Sequence, residues 1–429
     1  MTACPALFIS APSSGSGKTS VTAAIARSQA RRGKRVRVFK TGPDFLDPTI
    51  LERASGHPVY QLDLFMGGFA HCQALLADAA READLILVEG VMGLFDGDPS
   101  SADLAAAFGL PVVCVIDASA MAQTFAAVAT GLQRFKPELR HCGVIANRVG
   151  SAAHGRMLGE GLPRDLPLIA ALPRDAALSL PERHLGLVQA LEQPALDALL
   201  NAWADAWEAA LRPGFPFKSQ RFEADAEPPR PRLLQGRRIA LARDAAFGFI
   251  YPANVDTLRA LGAELAFFSP IRHEALPDCD ALWLPGGYPE LHADALRAHP
   301  TLFAALAAHV AAGRPLLAEC GGMLALLEAL TDVDGRAHAM AGVMPGHARV
   351  QPRLAALGLQ AIAWPEGPLR GHSYHHSTLD TPLAPIAQAS NPNGGRTAEA
   401  LYQHGSLRAS YIHHYFPSNP EAVAAFFAG

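Results

Sequence analysis

A two-domain α/β protein built on parallel, doubly wound sheets is predicted by three features of this sequence. Short apolar runs alternate with helix-like stretches, a proline-rich segment breaks the rhythm near the middle, and the rhythm then restarts. The length of 429 residues supports the division, since a single hydrophobic core seldom organises so long a chain.

The strands of the first domain are expected at PALFIS (5–10), RVRVFK (35–40), LILVEG (85–90), VVCVID (112–117), GVIANRV (143–149) and LPLIAAL (166–172). Near-continuous apolar runs suit strands covered on both faces, as crossover helices cover a parallel sheet. The segment 222–236, FEADAEPPRPRLLQG, mixes prolines with charge and resists both helix and strand. It is read as a linker between a first domain at 1–221 and a second at 237–429. In the second domain RRIALARD (237–244), ELAFFSP (264–270), ALWLPGG (281–287) and PLLAECGG (315–322) supply strands. Leu302, Leu306 and Val310 recur every four residues, as a helix packed on a sheet requires. The remainder reads as richer in β structure and ends in SYIHHYF.

Composition narrows the function classes. Half the residues are apolar and 18% are charged, which describes a globular chain rather than a disordered or fibrous one. A formal charge of -4 argues against nucleic acid as a main partner, though not against small anions bound at a local basic site. The six cysteines form no CxxC pair, which suits reduced thiols in the cytoplasm. The start MTACPALFIS lacks the basic and apolar regions of a signal peptide, and no stretch has the length of a membrane span. The expectation is a soluble, untargeted protein.

Between the first strand and the next helix stands Ser13-Ser14-Gly15-Ser16-Gly17-Lys18-Thr19. Gly15 and Gly17 let backbone N–H groups converge on phosphate oxygens, and the helix N-terminus favours their charge. In such a loop Lys18 reaches the transferred phosphoryl group and Thr19 ligates magnesium. Pro12 holds the place of the first glycine in GxxxxGK[ST], a departure from the pattern, yet strand and helix fall where the mechanism needs them. Acidic patches follow at strand ends: Lys40 with Asp44 and Asp47 after the second strand, Glu89 at the third, and Asp96 just beyond it. Ligands of open α/β sheets bind at the carboxyl ends of strands, and magnesium there wants carboxylate and phosphate oxygens. Taken singly, each Pro-Asp or Asp-Gly pair also makes an ordinary turn.

Glu319-Cys320-Gly321-Gly322-Met323 places a cysteine where a strand meets a helix. A sharp elbow there exposes a nucleophile, the helix N-terminus is expected to lower its pKa, and the N–H of Gly321 is available to an oxyanion. Gly286 and Gly287, in PGGYPE at the end of the preceding strand, allow further N–H donors to approach. A cysteine nucleophile needs a base, for which His413 is the choice, with His414 on the opposite face of an extended strand. In isolation a buried free cysteine is as ordinary as a reactive one. Gly371-His372-Ser373-Tyr374-His375-His376 lacks acidic or thiol partners at ligand spacing and is read as lining a polar surface or cleft rather than a metal.

In their order along nearly the whole chain, SSGSGKT, KTGPDFLDP, QLDLFM around Asp63, VEGVMGLFDG, PGGYPE, ECGGM, GHSYHHS and ASYIHHYF resemble the cobyrinic acid a,c-diamide synthase family, corrin-ring amidases of vitamin B12 biosynthesis. FLDPTILERASG and RGHSYHHS look most like the aerobic branch, which acts on metal-free hydrogenobyrinic acid. The resemblance implies a dethiobiotin-synthetase-like ATP domain joined to a class I glutamine amidotransferase domain. It assigns Gly15, Gly17, Lys18, Thr19 and Lys40 to ATP, and Thr19, Asp47, Glu89 and Asp96 to magnesium. It makes Asp44 catalytic toward the reacting carboxylate, Cys320 the nucleophile, His413 its activator, and Gly286, Gly287 and Gly321 the oxyanion and glutamine donors. Tyr415 stands two residues after His413, where the wider glutaminase class has glutamate, a departure that the corrinoid amidases share.

The chemistry so implied explains the fusion. ATP converts a carboxylate to an acyl phosphate, and ammonia released from glutamine in a sheltered place displaces the phosphate before it is protonated. The expected partners are a corrinoid polyacid, ATP and glutamine, with a homodimer as the oligomeric option and neither nucleic acid nor membrane. Two other readings stand at this point: an amidase for another tetrapyrrole, and a P-loop ATPase whose C-terminal half only binds.

Overall fold

Strand β1 (Thr2–Ser10) sits at the centre of an eight-stranded sheet with β2 (Val36–Thr41), β3 (Tyr60–Leu62), β4 (Leu85–Glu89), β5 (Val112–Asp117), β6 (His141–Val149), β7 (Leu168–Pro173) and β8 (Ser219–Phe222). The order is β3-β2-β4-β1-β5-β6-β7, all parallel, and β8 lies antiparallel to the start of β1. In this computed structural model residues 2–178, 195–214, 217–224, 231–394 and 399–429 are described.

Alternation along the strands sorts the core into two layers. Leu7 and Ile9 face Val21 and Ile25 of helix α1 (Lys18–Arg31) together with Trp203 and Trp207. Ala6 and Phe8 join Cys72 and Leu76 on the other face. Covering both faces with helices is what lets the strands be apolar throughout, and it leaves the carboxyl ends of β1, β2 and β4 as the open edge.

The chain divides into two compact units, Met1–Leu64 with Gly68–Ala226, and Phe65–Gly67 with Glu227–Gly429. Phe222 ends β8 inside the first unit's sheet, and residues 225–230 of the expected linker lie outside the described residues.

The second unit restarts with β9 (Arg238–Ala242), β10 (Glu264–Phe268), β11 (Ala281–Leu284) and β12 (Leu316–Glu319), in the order β10-β9-β11-β12. The strand Leu407–Ser410 continues the sheet parallel to β12, and Ala400–His404 and Ala387–Gln388 complete it. Ile239, Leu241, Trp283 and Leu317 pack against Phe426 and Phe427 of the last helix, while Leu282, Leu284 and Leu316 pack against Leu302 and Leu306 of the helix Pro300–Ala311. The β-rich remainder forms a four-stranded sheet and a three-stranded one, the latter made of Ala356–Trp364, Gly367–His375 and His413–Tyr415. Among the described residues no helix is long and apolar enough to cross a membrane.

Candidate active sites

The loop after β1 turns through Gly15 (φ 78°) and Gly17 (φ 95°) into α1. The left-handed backbone is one reason for glycine at 17; space is the other, since a Cβ there would stand 2.2 Å from Asn147 Nδ2. Asn147, at the end of β6, donates to Ser16 O at 3.0 Å and so braces the loop. Its role escaped the sequence, where the only signal was an asparagine at the carboxyl end of a parallel strand. Lys18 is buried, and its ammonium is bonded by the carbonyls of Ser13 at 3.2 Å and Met92 at 2.6 Å. Burial, then Lys40, lowers its pKa.

The acidic patches from three strand ends meet around Lys40. Its Nζ lies 2.5 Å from Glu89 Oε1, 2.6 Å from Asp47 Oδ2 and 3.4 Å from Asp44 Oδ2. Thr19 Oγ1 donates to the same Glu89 Oε1 at 2.9 Å. Burial pushes the Lys40 ammonium down, but Asp47, Glu89 and Asp44 hold its pKa well above the ordinary value. Burial raises Glu89 against the pull of Lys40. For Asp47 the opposite balance holds: burial raises it most, but Lys40 together with hydrogen bonds from Asp44 and Thr19 lowers it overall. Asp44 is pushed up to about 7 by burial and by Asp47. Asp44 also has a local task, because its Oδ1 accepts the N–H groups of Leu46 and Asp47 at the start of helix α2 (Leu46–Ser55). Asp96 stands apart from the cluster, with Oδ2 accepting the Gly93 N–H at 3.0 Å, and acts on Lys18 through its charge.

Among the described residues no group of three or more His, Cys, Asp or Glu side chains is arranged to hold a metal ion by itself. Glu89 Oε2, however, is buried and has no hydrogen-bond partner among the described residues.

Cys320 follows β12 with φ 46° and ψ -110°, a strained turn for a residue with a side chain, and the helix Gly321–Leu326 begins directly after it. Its N–H is held by Ser410 O at 2.7 Å, which ties the elbow to the neighbouring strand. The expectation that the helix start lowers the thiol's pKa is corrected: burial pushes the thiol up, Glu290 adds to this, and the Gly321 N–H opposes without prevailing. A buried sulfur loses more by desolvation than a helix of six residues returns.

His413 is buried, on the strand His413–Tyr415. A Cβ on Gly286 would stand 2.2 Å from His413 Cε1, and a Cβ on Gly321 would stand 2.5 Å from Gly287 O. The Gly286-Gly287 turn is therefore packed between the imidazole and the start of the nucleophile's helix, which explains glycine at 286. Burial lowers the His413 pKa well below its ordinary value, and His372, His414 and His375 lower it further. His414 points to the other face, against Trp364, with Nδ1 2.9 Å from Glu319 Oε1. Of the two places the sequence suggested for histidines 372 and 375, a polar surface or a cleft, the exposed surface does not hold. Both are buried, His372 bonded to Tyr251 and His375 to Glu399.

Residues 7–188 match the model of a CobQ/CobB/MinD/ParA nucleotide binding domain, and residues 238–421 that of a CobB/CobQ-like glutamine amidotransferase domain. The chain is 59% identical to hydrogenobyrinate a,c-diamide synthase of Pseudomonas aeruginosa over 425 residues, covering 99% of this chain and 98% of that protein. It is 59% identical to the Stutzerimonas stutzeri protein of the same name over 422 residues, 98% of each chain. It is 49% identical to cobyrinate a,c-diamide synthase of Herminiimonas arsenicoxydans over 430 residues, 98% of this chain and 96% of that one.

Proposed function

This chain belongs to the hydrogenobyrinate and cobyrinate a,c-diamide synthase family, and from that premise we propose how its residues perform ATP-dependent amidation of the a and c acetates of a corrinoid with glutamine as nitrogen donor. The observation that carries the reading is the presence, in one chain similar to these relatives from end to end, of a phosphate loop and a cysteine elbow.

In the first unit Gly15, Gly17 and Lys18 bind the ATP phosphates, and Lys40 offsets repulsion between the γ-phosphate and the incoming carboxylate. The substrate carboxylate attacks the γ-phosphorus, the bond to the β-phosphate oxygen breaks, and ADP leaves an acyl phosphate. Asp44 faces the reacting carboxylate. Ammonia then adds to the acyl carbon, inorganic phosphate departs with the bonding pair, and a proton is lost to give the amide. The donor set fits magnesium: Thr19, Asp47 and Glu89, with Glu89 Oε2 available, would hold it, while Asp96, bonded to Gly93, would contribute through its charge. Such an ion would supply positive charge to the phosphate oxygens.

In the second unit the thiol's raised pKa and the imidazole's lowered one make the neutral Cys320–His413 pair the resting form. As sulfur attacks the glutamine amide carbon, His413 takes the thiol proton and later gives it to the departing ammonia. Gly286, Gly287 and Gly321 direct N–H groups to the oxyanion. Water then hydrolyses the glutamyl thioester to glutamate.

The ring used is metal-free hydrogenobyrinic acid, in keeping with the names of the two relatives at 59% identity. Free cysteines throughout the described residues suit a cytoplasmic location. A homodimer is the expected assembly, checked by light scattering. The function is tested by mass spectrometry of products from hydrogenobyrinic and cobyrinic acids, each supplied with ATP, magnesium and glutamine. Two amidations of the metal-free ring are expected, and a kinetic preference for the cobalt ring would overturn the choice of substrate.

A further inference from the structure

His372 and His413 are direct cross-strand partners in the three-stranded sheet. Their rings stack with centroids 5.1 Å apart and planes 25° apart. Close approach of the two strands depends on Gly371, where a Cβ would stand 2.2 Å from His413 O. The far side of the pair is fixed as well: Tyr251 OH lies 2.7 Å from His372 Nδ1. Tyr251 is itself immobilised, 1% exposed, with its ring edge-on to Tyr415 at 5.2 Å. Tyr415 is the residue at the place where the wider glutaminase class has glutamate. The carboxylate nearest in sequence to the nucleophile, Glu319, is engaged by His414 and by Trp283 Nε1.

We propose that Tyr251 and His372 are positioning residues for glutamine hydrolysis: Tyr251 fixes the His372 ring, and the face of that ring fixes the His413 ring against the elbow. Neither group carries a carboxylate. A neutral partner has a different electrostatic consequence, because a carboxylate would favour imidazolium whereas a stacked imidazole does not. Burial is the main cause that lowers the His413 pKa; His372 and His375 from the strand Gly367–His375 and His414 from its own strand add to it, and Phe249 lies with its ring 5.9 Å away. This environment keeps His413 an acceptor of the Cys320 proton as pH falls.

The inference rests on the glutaminase reading of Cys320 and His413, and the experiment separates the two. Glutamine hydrolysis, and synthesis from ammonium at high pH, are measured for the full-length wild type, Tyr251→Phe and His372→Asn. Wild-type hydrolysis of glutamine is the control for the underlying reading, which fails if there is none. Expected for each variant is a fall in glutaminase kcat of about tenfold or more, since a displaced general base forfeits part of its contribution. KM for glutamine should stay within about twofold and ammonium-dependent synthesis should be unchanged, as neither residue is assigned to glutamine contact. Wild-type kcat in Tyr251→Phe, or a loss expressed only in KM, overturns the proposal. Should His372→Asn lose ammonium-dependent activity and so betray misfolding, the near-isosteric Tyr251→Phe decides alone.

Discussion

Glu319 Oε1 lies 2.9 Å from the backbone nitrogen of His414 and 2.9 Å from its Nδ1. One carboxylate thus fixes both main chain and ring of the residue that follows His413, while belonging to the residue that precedes Cys320. Its other oxygen accepts Trp283 Nε1 at 3.0 Å. The strand that ends at the nucleophile and the strand that carries the base are registered by this buried group.

The first prediction follows directly. From the sequence, His414→Ala is expected to be milder than His413→Ala because the side chain points the other way. The side chain does point away, but to Glu319, and both are buried. Losing one partner of a buried hydrogen bond leaves the other unsatisfied and costs about 2 kcal/mol. His414→Ala should therefore lower the urea midpoint and impair glutamine hydrolysis together, with Glu319→Ala doing the same. Wild-type stability in both variants would show that the contact contributes nothing.

What could be read in advance follows from where the information lies. The apolar runs behind β1, β2, β4, β5, β6 and β7 are local, and the strands appear where they stand. Strand β3, of three residues, and β8, a short strand at the start of β1, carry no such run and went unread. Glycine-rich turns and the cysteine elbow were legible because their chemistry demands particular neighbours in sequence. The Glu319–His414 contact joins residues 95 apart and the Asn147–Ser16 contact residues 131 apart, and pattern along the chain cannot report either. The direction of the Cys320 pKa was misread for a related reason: the helix start is local, whereas burial depends on everything packed around it.

A second prediction separates the two chemistries. Cys320→Ala should abolish glutamine-dependent synthesis, because no thioester forms, and leave synthesis from high ammonium at elevated pH largely intact. Lys18→Ala should abolish both, because either nitrogen source needs the acyl phosphate. Parallel assays with the two donors check this; loss of ammonium-dependent synthesis in well-folded Cys320→Ala would give the cysteine a structural role.

Adding one methyl group should divide the activities in the same way. Gly286→Ala drives a Cβ to 2.2 Å from His413 Cε1, so the ring must move and glutaminase kcat should fall by about tenfold or more while ammonium-dependent synthesis persists. Gly17→Ala meets Asn147 Nδ2 at the same distance in a left-handed turn and should weaken ATP binding, read by nucleotide titration. Normal glutaminase activity in Gly286→Ala would mean that the imidazole need not sit where it does.

Asp44 gives the last prediction, in which activity and stability move in opposite directions. Its carboxyl is raised to about 7 by burial and by Asp47, against an unfolded value of about 3.9. Between those values the native state holds a proton that the unfolded state has released, so stability declines as pH rises and is lowest above the folded pKa. An asparagine resembles the protonated form, and its side-chain oxygen can still accept from Leu46 and Asp47. Asp44→Asn should therefore unfold at a higher temperature than the wild type at pH 8, with the difference narrowing toward pH 5. Synthesis from either nitrogen donor should be lost over the whole range. Such a trade of activity for stability marks a charge kept for chemistry rather than for the fold. Thermal unfolding at the two pH values decides it: a variant less stable than wild type at pH 8 would show that the ionised Asp44 supports the Lys40 cluster more than it burdens it.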